Sequence, residues 1–498
     1  MSSEIMRTIP EEPSLLGVIE IQVFNDTALA QWFDHSYFKG EVKFSAGFGW
    51  SRWTGVFWES TDEREIRKDV ATQLQTIERH LREQGASIEA LKAIGRRLST
   101  GSLKALIAQL ESQVFVKAAF FENSPDLLNA QNGVIDLRTG ELLPHDPRLG
   151  FTKVLPTSYI PDATHPDWDA ALGALEPEVA ETLQVAVGQG VTGYSPLDDR
   201  SNFFVGPKAS NGKSTIVNGI LGAFGGFARL VSEKVLAGNK FDHPTEKMQL
   251  FGTRIAIVEE LPQALLNDKQ LKDLTSRVAQ GRYMRMDNVE WTATHTVFVT
   301  TNHPLEFENL DNGVMRRVRI FPFEKEYVDN PTDPNHMKKD LELRERIMQG
   351  QEGQHEAILA WAVKGAVRWF KAGRKMPPEP ASLAVAREAW QKDADVVGAF
   401  FEEYMEPSEG SFVATVELLA AFNHFLEARG LKPWRMTQLK TAFEARPDLA
   451  NYRNGVVRPR NAEDRSIPEI PKFFPTTSSQ PPSWRGMKFI VEQTQAEF

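Results

Sequence analysis

Residues 202–217 read Asn-Phe-Phe-Val-Gly-Pro-Lys-Ala-Ser-Asn-Gly-Lys-Ser-Thr-Ile-Val, an apolar strand, a tight loop and the first turn of a helix. Such a loop aims backbone N–H groups and a helix N-terminus at one point, which suits the oxygens of a phosphate chain. Gly206, Asn211 and Gly212 shape the loop, Lys213 supplies a point charge, Ser214 can ligate a phosphate-bound Mg²⁺, and Thr215 beside it is a further nucleotide-binding candidate. Phe203, Phe204 and Val205 precede the loop, and Ile216, Val217, Ile220 and Leu221 follow at helical spacing. The pattern implies binding of a nucleoside triphosphate, expected to be ATP with Mg²⁺. It departs from the usual loop in one respect: Gly206 lies a residue too far from Gly212, and Pro207, in the usual place of the first glycine, cannot take a positive φ. Either the loop bulges around Lys208 to Ser210, or its first turn is made differently.

Hydrolysis needs a carboxylate for the Mg²⁺ shell and another to orient or deprotonate water. Arg254-Ile-Ala-Ile-Val-Glu-Glu260 offers both, with Glu259 and Glu260 at the end of a buried strand and Glu259 as the metal-side candidate. Which of the two activates water stays open. A further apolar strand, Thr296-Val-Phe-Val-Thr-Thr301, ends in Asn302-His-Pro304. Asn302 is the candidate sensor of the γ-phosphate or the lytic water, its alternative being a turn-forming Asn. Arg316 and Arg317 stand before a fourth apolar strand. One of them could answer a neighbouring subunit's γ-phosphate, or both could form surface ion pairs.

These segments need a scaffold. The early chain is aromatic, with Trp32, Trp50, Trp53, Phe57 and Trp58, and Ser51 to Trp58 alternates like a hairpin turning at Thr54-Gly55. Ile66, Val70, Leu74, Ile77 and Leu81 share one helical face, and amphipathic helices extend to about Val116. Asn132 to Gly140 predicts a second hairpin, and helical pattern returns from Trp168 to about Gly193. After a helical stretch over 355–373, Pro377-Pro-Glu-Pro380 breaks the chain. Beyond Ala394 the pattern predicts helices over Val396 to Tyr404, Val416 to Ala428 and Met436 to Ala445, then a strand over Gly486 to Val491, which suggests a winged helix.

With 498 residues and 41% hydrophobic content the chain is globular and long enough for about three domains. The absence of cysteine excludes disulfides and Cys-ligated zinc ribbons. No apolar run reaches transmembrane length and no signal-peptide pattern opens the chain, so a soluble, cytoplasmic protein is expected. A net charge of −10 argues against a surface that coats duplex DNA, so any nucleic-acid contact has to be local.

Taken together, the phosphate loop, the Glu-Glu strand, Leu271-Lys-Asp-Leu-Thr275 with Arg282 and Arg285 beyond it, the Thr-Asn-His-Pro strand end and the Arg-Arg-Val segment resemble a superfamily 3 helicase. The Asn-Gly-Val-Ile-Asp-Leu hairpin and the Trp-rich start resemble the region preceding the helicase domain in phage, plasmid and poxvirus primase–helicases, and the tail from about residue 395 is similar to their winged-helix end. The resemblance implies an α/β fold: a AAA+ P-loop core with a parallel sheet over 201–375, after a mostly helical module over 1–130 and a collar segment over 131–200. A lid linker and winged-helix-like tail would fill 376–498. It implies a hexameric ring on single-stranded or forked DNA, with a hairpin between Lys272 and Thr294 reaching into the pore. Asp287-Asn288 would be its tip, and Lys272, Arg277, Arg282 and Arg285 its basic contacts, unless these form ordinary ion pairs. Primer synthesis is not expected, because a Cys-rich zinc module is missing. The alternative is an ATP-switched origin-recognition or packaging adaptor gripping duplex DNA through Arg453, Arg458, Arg460 and Arg465.

Overall fold

The computed structural model describes residues 25–46, 48–206, 210–237, 246–262, 265–281, 289–307, 312–431, 433–444, 446, 449 and 483–490. The chain divides into two units, 1–159 and 160–498.

In the first unit α1 (Asp26–Trp32) runs into a π-helical turn and a meander of β1 (Val42–Ser45), β2 (Gly49–Trp53) and β3 (Trp58–Thr61). Thr54 makes the expected β2–β3 turn, its hydroxyl donating to Phe57 O (3.0 Å) and accepting from Phe57 N (3.1 Å). Three helices follow: α2 (Glu63–Glu83), α3 (Ile88–Arg97) and α4 (Thr100–Gln113), capped by Asp62, Ser87 and Ser99. The predicted stripe Ile66, Val70, Leu74, Ile77 and Leu81 is buried against α1, α3 and α4, each side chain contributing about 1.5–3 kcal/mol relative to exposure. Trp50 belongs to the same core. A second meander, β4 (Leu127–Ala130), β5 (Gly133–Asp136) and β6 (Glu141–Leu143), is the Asn132–Gly140 hairpin extended by one strand. Buried Asn129 satisfies its amide against Val56 O (2.9 Å) and Lys153 O (3.0 Å), tying β4 to the β2–β3 turn.

The second unit opens with α5 (Pro166–Leu172) and α6 (Pro177–Gly190). Then come β7 (Ser201–Val205), α7 (Lys213–Phe224), β8 (Ala228–Leu230), β9 (Ile255–Leu261), α8 (Asp268–Leu274), the hairpin of β10 (Val278–Gly281) and β11 (Val289–Thr292), β12 (Thr296–Thr301) and β13 (Val318–Pro322). Five of these strands form one all-parallel sheet in the order β13-β7-β12-β9-β8. A strand covered on both faces is mostly apolar, and β7 shows why: Phe203 enters a core with Leu271, Val314 and Trp390, while Phe204 meets Phe298, Phe321 and Phe323 at ring centroids 5.2–5.8 Å apart, with buried Ser201 and Asn202 confined to the strand's start.

Three helices follow, α9 (Leu343–Gln349), α10 (Gln354–Lys371) and α11 (Ala381–Ala394), the first and the last absent from the sequence expectation. The tail comprises α12 (Val396–Tyr404), β14 (Met405–Ala414), α13 (Thr415–Ala428), α14 (Met436–Glu444) and β15 (Ser483–Phe489). β14 and β15 pair antiparallel around an aromatic core of Phe400, Phe422, Phe425, Phe443 and Trp484. β14 was not anticipated. No helix among the described residues is long and apolar enough to cross a membrane.

Candidate functional site

β7 leads straight into Gly206, where a Cβ would collide with the Asn211 amide and lie 2.8 Å from Phe323 O and 2.9 Å from Lys213 Nζ. Glycine is required there by space alone. Residues 207–209, where the irregular loop would bulge, lie outside the described residues. The loop re-enters with Ser210 (φ 61) and Gly212 (φ 86) in left-handed backbone, and Gly212 is the N-cap of α7.

Lys213 is 6% exposed, and its ammonium donates to Gly206 O (3.1 Å), Asn211 Oδ1 (2.9 Å) and Asn302 Oδ1 (2.8 Å). Burial draws its pKa down to about 8. Its described partners are neutral oxygens, so a full positive charge is held without a counter-charge, the state in which an arriving anion gains most. Ser214 and Thr215 follow, half-buried on the first turn of the same helix. Asn211 is also buried and donates from Nδ2 to Phe323 O (3.3 Å).

The acids are placed differently from the sequence expectation. β9 does not stop before them but runs to Leu261, with Val258 opposite Val299 and Leu261 opposite Thr301. Glu259 and Glu260 therefore share Thr300 as a partner in a β-bulge, and Glu260 takes φ 54, unusual for a residue with a side chain. Glu260 N donates to Thr300 Oγ1 (2.9 Å), which holds the bulge. A regular strand would send adjacent side chains to opposite faces; the bulge breaks that alternation at the two carboxylates. Because β9 and β7 both flank β12, the acids, Asn302 and the phosphate loop lie at one end of the sheet.

The paired arginines lie at the other end. Val318 pairs with Ser201 and Pro322 with Val205, so about 13 Å of strand separates the start of β13 from the loop. The two side chains differ in exposure. Arg317 is 13% exposed and donates to Thr275 Oγ1 (3.0 Å), Gly313 O (3.0 Å) and Asp199 (3.2 Å), whereas Arg316 is 65% exposed with Asp199 at 4.0 Å.

Within the predicted Lys272–Thr294 hairpin, β10 and β11 pair from Val278↔Thr292 to Gly281↔Val289. Lys272 lies upstream on α8 with Asp268 at 3.1 Å, and Arg277 is exposed where β10 begins. Arg282, Arg285, the Asp287-Asn288 tip and the tail arginines Arg453, Arg458, Arg460 and Arg465 lie outside the described residues.

Sequence reasoning missed a clamp on the loop. Tyr327 N donates to Ser210 O (2.8 Å), its ring borders Gly212, and its hydroxyl donates to Ala170 O (3.4 Å), burial pushing the phenol pKa up. Lys325 reaches Gly173 O (3.1 Å) at the end of α5. Only the Phe-Pro-Phe run just upstream hinted that this segment passes the loop. The donor set suits Mg²⁺: the Ser214 hydroxyl and the Glu259 carboxylate are hard oxygens, and Mg²⁺ keeps waters and phosphate oxygens rather than an all-protein cage. No group of three or more Asp, Glu or His able to hold a metal alone occurs among the described residues.

Fold and site define an α/β protein in which β7, next to the central strand β12, leads into a phosphate-type loop at the same sheet end as paired acids and an Asn. Residues 28–174 match the family described as D5 N terminal like. A search of the curated proteins finds no match. Among solved structures, the A form apo structure of the NrS-1 C-terminal region is similar at 12% identity with a TM-score of 0.42, covering 84% of this chain and 94% of that one. A further apo structure of that region gives 11% identity and a TM-score of 0.43 over 92% and 99% of the two chains.

Proposed function

We propose that the chain is an ATP-dependent DNA helicase of superfamily 3, built on a AAA+ core and acting in phage or mobile-element replication as a ring, a hexamer, on single-stranded or forked DNA. The observation that carries this reading is the 2.8 Å bond from Lys213 Nζ to Asn302 Oδ1, which joins the loop to the sensor strand beside Glu259 and Glu260. On this reading the loop amides and Lys213 hold the phosphates and Asn302 positions the water. One of the two glutamates takes the water's proton as its oxygen bonds to the γ-phosphorus and the bridging oxygen leaves with ADP. Mg²⁺, when bound through Ser214 and Glu259, supplies neutralisation of phosphate charge.

Arg316 is exposed and stands at the sheet end opposite its own loop, so it suits a neighbour's γ-phosphate. Arg317, held by internal bonds, suits a supporting role. The β10–β11 hairpin is the proposed pore element, Arg277, Arg282 and Arg285 its DNA contacts, and the three helices and paired strands of the tail the winged helix. The test is ATP turnover by the full chain with and without single-stranded DNA. Lys213→Ala is expected to abolish turnover, and DNA to raise it in the unaltered chain; a DNA-independent rate with unchanged assembly would sink the helicase reading.

A further inference from the structure

A second polar site lies at the end of the sheet away from the phosphate loop. There the α6–β7 connection, the start of β13 and the chain after α10 line an open cleft of about 400 Å³, within the range of small-molecule sites. Four cations line it: Arg200, Arg319, Arg374 and Lys375, against two acids, Asp198 and Glu379. Two of the cations are committed. Arg319 is buried and donates to Asp198 (2.7 Å) and Asn202 (3.1 Å), and Arg200 is shared between Asp198 (3.8 Å) and Glu379 (3.7 Å).

Arg374 and Lys375 are not. The Arg374 guanidinium lies 3.7 Å from the centre of the Tyr194 ring and 5.3 Å from that of Trp369, and its Nε is buried without a hydrogen-bond partner. Stacking occupies the faces of a guanidinium and leaves its donors in the plane, the geometry that takes two oxygens of one anion. A buried donor left unmade is costly, and no contact within the described residues satisfies this one. The left-handed backbone at Arg374 (φ 64) belongs instead to the cap that ends α10, where Arg374 N donates to Trp369 O (2.9 Å) and Gly373 N to Phe370 O (2.9 Å). Leu197, Met376 and Pro377 give the same cleft an apolar wall.

From this juxtaposition we infer that the cleft binds a nucleotide-sized organic phosphate, its phosphate on Arg374 and Lys375 and its flat base against Leu197, Met376 and Pro377. The site is independent of the phosphate loop and stands whether or not the loop hydrolyses ATP.

The test is calorimetric titration of adenosine 5′-monophosphate into the full chain carrying Lys213→Ala, which removes the loop's charge. Saturable one-site binding is expected, weakened at least tenfold by adding Arg374→Ala with Lys375→Ala and only partly by Arg374→Lys. Should the double variant fail to fold, hydrogen exchange on the Lys213→Ala chain replaces it: the nucleotide should protect residues 369–383. No binding, binding indifferent to Arg374 and Lys375 in a folded variant, or no protection over 369–383 overturns the inference. So does inorganic phosphate binding as tightly as the nucleotide, since the apolar wall would then contribute nothing.

Discussion

At the scale of single residues the site turns on one buried ammonium. Lys213 has a folded pKa of about 8 against an ordinary 10.5, so between these values the unfolded chain binds more protons than the folded one. Stability of the ligand-free protein should therefore rise with pH from about 8 to 10.5, a rise that Lys213→Met removes, read by denaturant unfolding at pH 7 and pH 10. Affinity for a non-hydrolysable ATP analogue should move the other way, falling as pH climbs past 8. The arginines make a second contrast. Arg317→Ala should cost about 1.5–3 kcal/mol through its lost charged bonds, whereas Arg316→Ala should change stability by about 0.5 kcal/mol or less while suppressing turnover, as melting and steady-state assays can separate. The bond between Lys213 and Asn302 joins two residues that the sequence singles out, Lys213 by a Gly-Lys-Ser run between strand and helix and Asn302 by ending an apolar run. Thr300, which holds Glu260, and Tyr327, which clamps Ser210, were not expected, since nothing local marks a threonine or a tyrosine inside a strand as a support.

Elements were legible where burial is periodic and obscure where it is not. The α2 stripe and the runs of β7, β9 and β12 announce themselves, because large apolar side chains recur at the spacing their structure needs. In α11 the buried positions are Leu383, Trp390 and Ala394, with Ala386 beside them, and small side chains blur the stripe. β14 contains Pro407 and an irregularity between Pro407 and Phe412, so its alternation is interrupted midway. One close helix contact was also hidden. At the crossing of α6 and α10 a Cβ on Gly188 would collide with the backbone of Gly365 and Ala366, and one on Gly365 with Gln184 O. Gly188→Ala should force the helices apart and cost about 1–3 kcal/mol, measured by thermal unfolding, while Gly95→Ala, with open space at its Cβ, should cost nothing comparable.

For the molecule as a whole, the class of fold followed from the sequence because strands covered on both faces read as continuous apolar runs. Strand order did not, since β7 pairs with partners remote in the chain and no local signal specifies them. That separation bears on how the protein is made. When β7 leaves the ribosome neither of its sheet neighbours exists, and Phe203 and Phe204 must wait, uncovered, until residues 296–322 have been synthesised. Distant pairing of this kind is slow and leaves nascent chains prone to aggregate. A fragment ending at residue 290 should accordingly sediment with the insoluble fraction, while one carried through β13 and its covering helices to residue 394 should remain in the supernatant.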